Sequence, residues 1–553
     1  MTKRDLLRGV AIAAFLGISP ALLAQPARRH RAPADKAKRL NLLFITVDDM
    51  DVSLPGFMGN TAGLTPHLDA LAARSHCFAN NRTVVPICMP SREAFMSGLL
   101  PQHSGGTGFI PMKQGTPTLT SILRDEGYYT AASHKISHMR PASSFPWLGQ
   151  EEGTDRHPLV HAAAFQVAMM EAEAQGKPFF VQCNINDPHR PFYGSPQAAR
   201  KDHGQQGVYQ VAKPVTAADV TIPPNLDDLP KVREEVAQYW NSAQRMDVAI
   251  GHILDALQES GHAGNTLVVF MNDHGMPFPF AKATCYDHGS REPVLLCWPG
   301  MGPPKRFDNR TTNVDLLPTL LEILGIETKA TFDGRSWAPI LRGETVPDPE
   351  FVVTYVNEVS NGMAYPSRGL QDARWSLIFN AWSDGKLAVR LESMGGLTFP
   401  AMEEAAKTDP AMAARVKQYV YGVPLALYDL QEDPGQRHNL IDDARHAARV
   451  ARMQTARLKA RTQRAVRLPV RLTIILASGR TESLEALLAR RRNDRLLLRR
   501  GRGVDVIPYR RNGAQLGEHR GSRRRRWLRL GIRQGALCRG NETAELTADS
   551  TRI

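Results

Sequence analysis

Four runs of apolar, strand-forming residues in this chain each stop at a cluster of polar ones. LNLLFITV leads into Asp48-Asp49, YYTAAS into His134-Lys135, PFFVQCN toward Asp187-Pro188-His189, and NTLVVFM into Asn272-Asp273. Amphipathic helical patterns separate them: PHLDALAARS, TLTSILRDEG and the long REEVAQYWNSAQRMDVAIGHILDALQES. A strand apolar along its whole length has no face to give to water, so it needs helices on both sides. The alternation therefore predicts an α/β fold, a mostly parallel sheet flanked by helices. In such sheets ligands bind beyond the carboxyl ends of the strands. All four polar clusters fall there and are expected to form one site.

The pattern changes after about residue 345. FVVTYV, RWSLIFNA and LALYDL, joined by turn-rich links, predict a smaller α+β subdomain over 346–460 behind a larger α/β domain over 40–345. A chain of 553 residues can bury cores for both. Residues 1–25 are not expected to belong to the fold. MTKRDLLRG is basic, VAIAAFLGI is a short apolar run and ALLAQ ends in small residues, the pattern of an export signal too short to span a membrane. TKRDLLR is also similar to a twin-arginine leader with lysine in the first basic place. Residues 26–39, basic and Ala/Pro-rich, read as a linker, and no later segment is apolar enough for a transmembrane span. The expected location is periplasmic or secreted. The six cysteines form no CxxC pair and are expected to be mostly buried thiols.

A net charge of +14 points first to nucleic acid. Its distribution argues otherwise. From Gln463 onward there are 22 Arg, no Lys and 8 acidic residues, which leaves 47 basic and 47 acidic residues in the rest of the chain. The body is neutral, so no nucleic-acid partner is expected for it. The Arg-rich tail over 461–553 has three open readings: out-of-frame GC-rich codons, a disordered solvated tail, or an anion-binding arm.

Asp48 and Asp49 are adjacent carboxylates at a strand end, which repel unless a cation or donors neutralise them. A turn-capping pair is the plain alternative. Asp273-His274-Gly275 ends a second strand in the same way, and three carboxylates converging there would suit Ca²⁺ or Mg²⁺ better than zinc. Cys88 opens the pattern C-x-P-S-R-x(5)-G. A single cysteine is usually a small buried hydrophobe, but average composition yields this pattern by chance only on the order of once in ten thousand chains of this length.

CMPSREAFMSG resembles the signature of the sulfatases, in which the cysteine is oxidised to formylglycine (3-oxoalanine). The likeness covers roughly residues 40 to 440 and takes in VDD, HKISH, NDPHRPF, NDHG and LYDLQEDPGQRHNL. DPHRPF, QRMDVAIGHIL, MPFPFAK and AYPSR are most similar to the heparan N-sulfatase (N-sulfoglucosamine sulfohydrolase) branch. The resemblance implies an alkaline-phosphatase-like fold, a formylglycine-generating enzyme as maturation partner and a sulfated carbohydrate as substrate.

Several residue roles are implied with it. Asp48, Asp49, Asp273, His274 and the modified Cys88 would hold Ca²⁺, with Mg²⁺ as the alternative. Arg92 would steady the formylglycine hydrate, and Lys135 and Lys282 would bind sulfate. His138 would be the base that releases sulfate and His189 the acid that protonates the leaving atom. Glu358 and Arg368 would contact substrate. Two departures stand out: His134 replaces the glycine of a G-K-x-x-H element, and His274 stands where many relatives carry Asn. The implied chemistry is hydrolysis of N-sulfoglucosamine. The alternatives are an O-sulfatase of another sulfated carbohydrate or aryl ester, a formylglycine-dependent phosphodiesterase or phosphonate hydrolase, and a non-catalytic sulfoglycan-binding protein.

Overall fold

The main sheet is built from β1 (Asn41–Asp48), β2 (His76–Phe78), β3 (Tyr129–Ser133), β4 (Gly149–Glu151), β5 (Phe179–Pro188), β6 (Thr266–Asn272), β7 (Val294–Cys297) and β8 (Arg306–Phe307). Their order across the sheet is β4-β3-β5-β1-β6-β7-β2-β8. Only β7 runs antiparallel to its neighbours, so the sheet is mostly parallel as its apolar strands predict. The computed structural model describes residues 39–201 and 209–463, with short strand segments beyond residue 472. The export signal, the linker, the reading of the tail beyond Gln463 and Cys538 lie outside the described residues.

Every residue of β1 is buried, and its alternation divides the core in two. Leu43, Ile45 and Val47 face one layer, which includes α2 (Pro158–Ala174) and α3 (Pro230–Glu259). Along the 30-residue α3, Val236, Trp240, Ala243, Met246, Ile250, Ile253 and Leu257 form the apolar stripe that packs there. Leu42 and Phe44 face the other layer, which contains Phe95 and Met96 of α1 (Cys88–Ser97). All ten residues of α1 are buried, which sets its first residue, Cys88, inside the molecule.

The second sheet is antiparallel, in the order β9 (Val352–Glu358), β10 (Ala364–Gln371), β11 (Trp375–Asn380), β12 (Leu425–Asp429). The sequence pattern predicts β9, β11 and β12; β10, which contains Pro366 and Gly369, is not among the runs it picks out. Both are accommodated. Pro366 falls at a shift in the β9–β10 register, before the β10–β11 pairing begins at Ser367. This sheet attaches to the first through an apolar cluster of Val84, Val85 and Ile87 with Tyr355, Ile378 and Tyr428. The Tyr355 N–H also donates to the Val84 carbonyl at 2.7 Å. Cys77, Cys88, Cys183 and Cys285 are buried free thiols and Cys297 is partly buried, as expected. Among the described residues no helix is long and apolar enough to cross a membrane.

Candidate active site

β1 and β6 are parallel neighbours in register, Val47 opposite Asn272, so Asp48-Asp49 and Asp273-His274 emerge side by side. The Asp49 N–H donates to Asp273 Oδ1 at 3.2 Å. Asp49 takes a left-handed backbone, φ 68°. Six non-glycine residues among those described have positive φ; Asp49 and Lys135 belong to the site, and His134, Phe280 and Ala283 lie within two residues of Lys135 or Lys282 in the chain. Such conformations cost about 1–3 kcal/mol each and persist only where the surrounding structure fixes them. Gly275 is needed for a different reason, since a side chain there would overlap the His288 carbonyl.

Cys88 sits at the first position of α1, with its Sγ 3.6 Å from Asp48 Oδ1 and 3.1 Å from His274 Nε2. His274 Nδ1 lies 3.0 Å from the Gly275 carbonyl. A carbonyl only accepts, so Nδ1 carries the proton and Nε2 turns its lone pair toward Cys88. One helical turn on, Arg92 is fully buried and makes four hydrogen bonds. Its Nε donates to Asp273 Oδ2 at 3.1 Å, one terminal nitrogen to Asp48 Oδ2 at 3.4 Å, and the other to Thr46 Oγ1 at 3.2 Å and Asn184 Oδ1 at 2.7 Å. Ser91 fixes the same turn by donating to the Asp273 carbonyl at 2.5 Å.

Lys135 pairs with Asp48, and Lys282 Nζ donates to Asp49 Oδ2 at 3.1 Å. Lys282 also lies 2.9 Å from Asp49 Oδ1, a close charge contact only, since that buried oxygen accepts no directed hydrogen bond. His189 Nε2 approaches Asp49 Oδ2 at 3.8 Å. The His138 ring meets Phe109 edge-on.

The electrostatics follow from this crowding. Burial raises the Asp48 carboxyl, but Lys135, Arg92 and Lys282 outweigh burial and hold it well below the usual carboxylate range. Burial raises Asp49, and repulsion from Asp48 adds to it against the pull of Lys282. Burial, then the charge of Asp48, pushes the Cys88 thiol well up, so the unmodified residue is a poor nucleophile. Burial and the positive charge of Lys135 bring His138 down to about 3. Burial, Lys282 and Lys135 likewise hold His189 well below its ordinary value.

The ligand atoms of Asp48, Asp49, Cys88 and His274 all lie within 4.8 Å of one another. Asp49 Oδ1, buried and lacking a directed donor, and the Asp48 carboxylate suit a hard cation, whereas the His274 nitrogen and the unmodified Cys88 sulfur are softer donors. Asp273 stands beside it, engaged by Arg92 and the Asp49 N–H. The sequence-predicted residues Asp48, Asp49, Cys88, Arg92, Lys135, His189, Asp273, His274 and Lys282 thus converge, with His138 close enough to Lys135 to feel its charge.

Glu358 and Arg368 are placed differently. Glu358 packs against Gly108, and Arg368 donates to the Val356 and Ser367 carbonyls and to Asn357 Oδ1, lying 5.0 Å over the Tyr355 ring. Arg368 so braces the second sheet.

Sequence reasoning missed two participants. Asn184 holds Arg92, and its signal was available: Gln182, Asn184 and Asn186 are polar residues inside an apolar strand. Glu392 lies 3.0 Å from Lys282 Nζ and 3.4 Å from His189 Nε2, and no motif marks it. Burial raises its carboxyl, but Lys282 and His189 bring it to about 2. A cleft lined by apolar Ile87, Phe109, Val359 and Leu391 opens beside Lys282 and Glu392.

The sulfatase family profile matches residues 40–326, and a profile for the N-sulphoglucosamine sulphohydrolase C-terminal region matches residues 273–386. Human N-sulphoglucosamine sulphohydrolase is 28% identical over 448 residues, covering 74% of this chain and 88% of its own. Among solved structures, a 2-O GAG sulfatase superposes with a TM-score of 0.57 at 20% identity, covering 77% of this chain and 92% of its own. A phosphonate monoester hydrolase of Agrobacterium radiobacter reaches 0.57 at 16% identity, covering 80% and 99%. At those identities the two structural likenesses speak for the fold alone.

Proposed function

Because this chain belongs to the sulfatase family, we propose that it removes sulfate from a sulfated sugar and that its substrate bond is the S–N bond of N-sulfoglucosamine. The observation that carries the reading is Cys88 on a wholly buried helix end, facing Asp48 and His274 and flanked by two lysines bound to the paired aspartates. Likeness to the human N-sulphoglucosamine sulphohydrolase and to its C-terminal profile supports the nitrogen-linked substrate.

Oxidation of Cys88 by a formylglycine-generating enzyme and hydration of the aldehyde would supply two hydroxyls on one carbon, one to attack sulfur and one whose deprotonation expels sulfate. A Ca²⁺ ion held by Asp48, Asp49 and His274, with Asp273 beside them, would supply positive charge against the developing anion.

The remaining roles belong to the chain itself. Lys135 and Lys282 bind the sulfate oxygens, and the amino end of α1 adds its dipole. Arg92 holds Asp48 and Asp273 apart in fixed orientation. His138, kept neutral by burial and Lys135, accepts the proton that releases sulfate. His189 donates Nδ1–H to the Arg190 carbonyl at 2.6 Å, so Nε2 is the position from which a proton can move. Bound sulfate would take up the charge of both lysines, whose repulsion adds to burial in keeping His189 neutral, so substrate binding itself favours the imidazolium. The leader-like pattern of MTKRDLLRG and VAIAAFLGI supports a periplasmic or extracellular setting for this chemistry.

The test has two parts. The mass of the tryptic peptide Thr83–Arg92 from protein made with a formylglycine-generating partner is expected to be that of the aldehyde or its hydrate. The mature protein is expected to release sulfate from N-sulfoglucosamine, and Cys88→Ala to release none. An intact thiol with undiminished turnover sinks the formylglycine chemistry; hydrolysis of O-sulfated but not N-sulfated sugars sinks the substrate.

A further inference from the structure

With Asp49 read as a cation ligand under the proposed function, we propose that Tyr239 is a positioning residue for the cation. Its hydroxyl sets the left-handed turn at Asp49 and with it the direction in which that carboxylate points.

Asp49, Met50 and Asp51 turn away from the end of β1, and each of the three is held by another element. Tyr239 reaches them from the middle of α3 and is 2% exposed. Its hydroxyl donates to the Asp49 carbonyl at 2.8 Å and accepts the Asp51 N–H at 2.7 Å. Asn272, the last residue of β6, holds the residue between them. Its Oδ1 accepts the Met50 N–H at 3.0 Å and its Nδ2 donates to the Met50 carbonyl at 2.5 Å. Phe192 and Phe278 meet the Tyr239 ring edge-on at 5.4 Å each and fix its tilt.

The ring belongs to the core, but both hydrogen bonds of the hydroxyl go to the turn. A carbonyl only accepts and an N–H only donates, so a single atom that serves both must donate and accept at once, as a hydroxyl does. Asp49 needs that brace, because a non-glycine residue keeps a φ of 68° only where its surroundings impose it. Phenylalanine at position 239 would keep the ring packing and leave the Asp49 carbonyl and the Asp51 N–H buried without a partner. The two recover hydrogen bonds only by closing on each other or by drawing in water, and either rotates the Asp49 peptide. The carboxylate on that residue has to stay with the ligand atoms of Asp48, Cys88 and His274, which lie within 4.8 Å of it and of one another.

The experiment titrates Ca²⁺ into chelator-stripped mature protein by calorimetry for the wild type, Tyr239→Phe and Trp240→Phe, and follows Tm with and without Ca²⁺. For Tyr239→Phe the expected Kd is at least about 10-fold above the wild type, the scale of one buried hydrogen-bonding group. Its Tm deficit should be larger with Ca²⁺ than without, since a weaker ligand stabilises the folded state less. Trp240→Phe changes the packing of the next residue on α3 and leaves the hydroxyl in place, so it should lower Tm equally in both conditions and keep the wild-type Kd. An unchanged Kd for Tyr239→Phe, or a rise that Trp240→Phe matches, overturns the inference, because the hydroxyl would then serve only the stability of the fold. A wild type that binds no Ca²⁺ overturns it together with the cation site. The expected Kd shift in a protein whose wild type does not turn over N-sulfoglucosamine upholds the role of Tyr239 and removes the substrate reading instead.

Discussion

Arg92→Met isolates what the buried guanidinium does for the site. Methionine fills much of the same volume, so the cavity is small and the change is chiefly one of charge and hydrogen bonding. Arg92 is fully buried and serves Asp273 at 3.1 Å, Asp48 at 3.4 Å, Thr46 at 3.2 Å and Asn184 at 2.7 Å. At an effective dielectric of about 20, each of the two charge pairs is worth about 5 kcal/mol before the cost of desolvation. Measured losses on breaking a buried pair are smaller, about 3–5 kcal/mol, because the stranded carboxylate can protonate or draw in water. Two carboxylates share this cation, so the upper half of that range is expected. For a folded body larger than ~250 residues, the loss corresponds to a fall in Tm of about 5–10 °C. Differential scanning fluorimetry on wild type and variant, with and without added Ca²⁺, measures it. The gap should narrow with Ca²⁺, which takes over part of the charge on Asp48. An Arg92→Met protein with the wild-type Tm would refute the reasoning, since Asp48 and Asp273 would then be stable without their cation.

Three further outcomes are expected. His189→Ala should lower kcat on N-sulfoglucosamine by at least about 10²-fold and on 4-nitrophenyl sulfate much less; equal losses in steady-state assays of both would make His189 a sulfate ligand rather than an acid. Exhaustive chelation should abolish turnover and lower Tm, with Ca²⁺ restoring both better than Zn²⁺ once conversion of Cys88 adds an oxygen to the two carboxylates; activity indifferent to chelation would remove the cation from the site. Burial raises the Asp187 carboxyl, but Arg245 at 2.6 Å and Arg156 at 2.5 Å hold it below its ordinary 3.8. Its stabilising contribution is thus present above pH 3.8 and lost as pH falls through the folded value. The stability difference between wild type and Arg245→Met in urea titrations should accordingly be large at pH 7 and shrink toward pH 3; a difference that grows on acidification would contradict the sign.

The strands, the helices between them and the polar clusters at the strand ends were legible in the sequence because each is a local pattern. An apolar run, an amphipathic repeat or a signature around Cys88 is written within about thirty consecutive residues. Local pattern also left out β10, in which Gly369 pairs on both sides and Pro366 falls at a register shift. Which groups face one another was decided only by the tertiary structure. Arg92 meets Asp273 across 181 residues of chain because β1 and β6 run side by side beneath α1. Asn184 joins them because β5 flanks β1 on its other edge. Glu392 reaches Lys282 and His189 because Tyr365, Val420 and Tyr419 hold the backbone around it. The sequence by itself determined that acids, lysines and histidines would crowd one sheet edge. Packing between elements far apart in the chain decided the partner of each, because a charge buried there must find its counter-charge wherever the fold brings one.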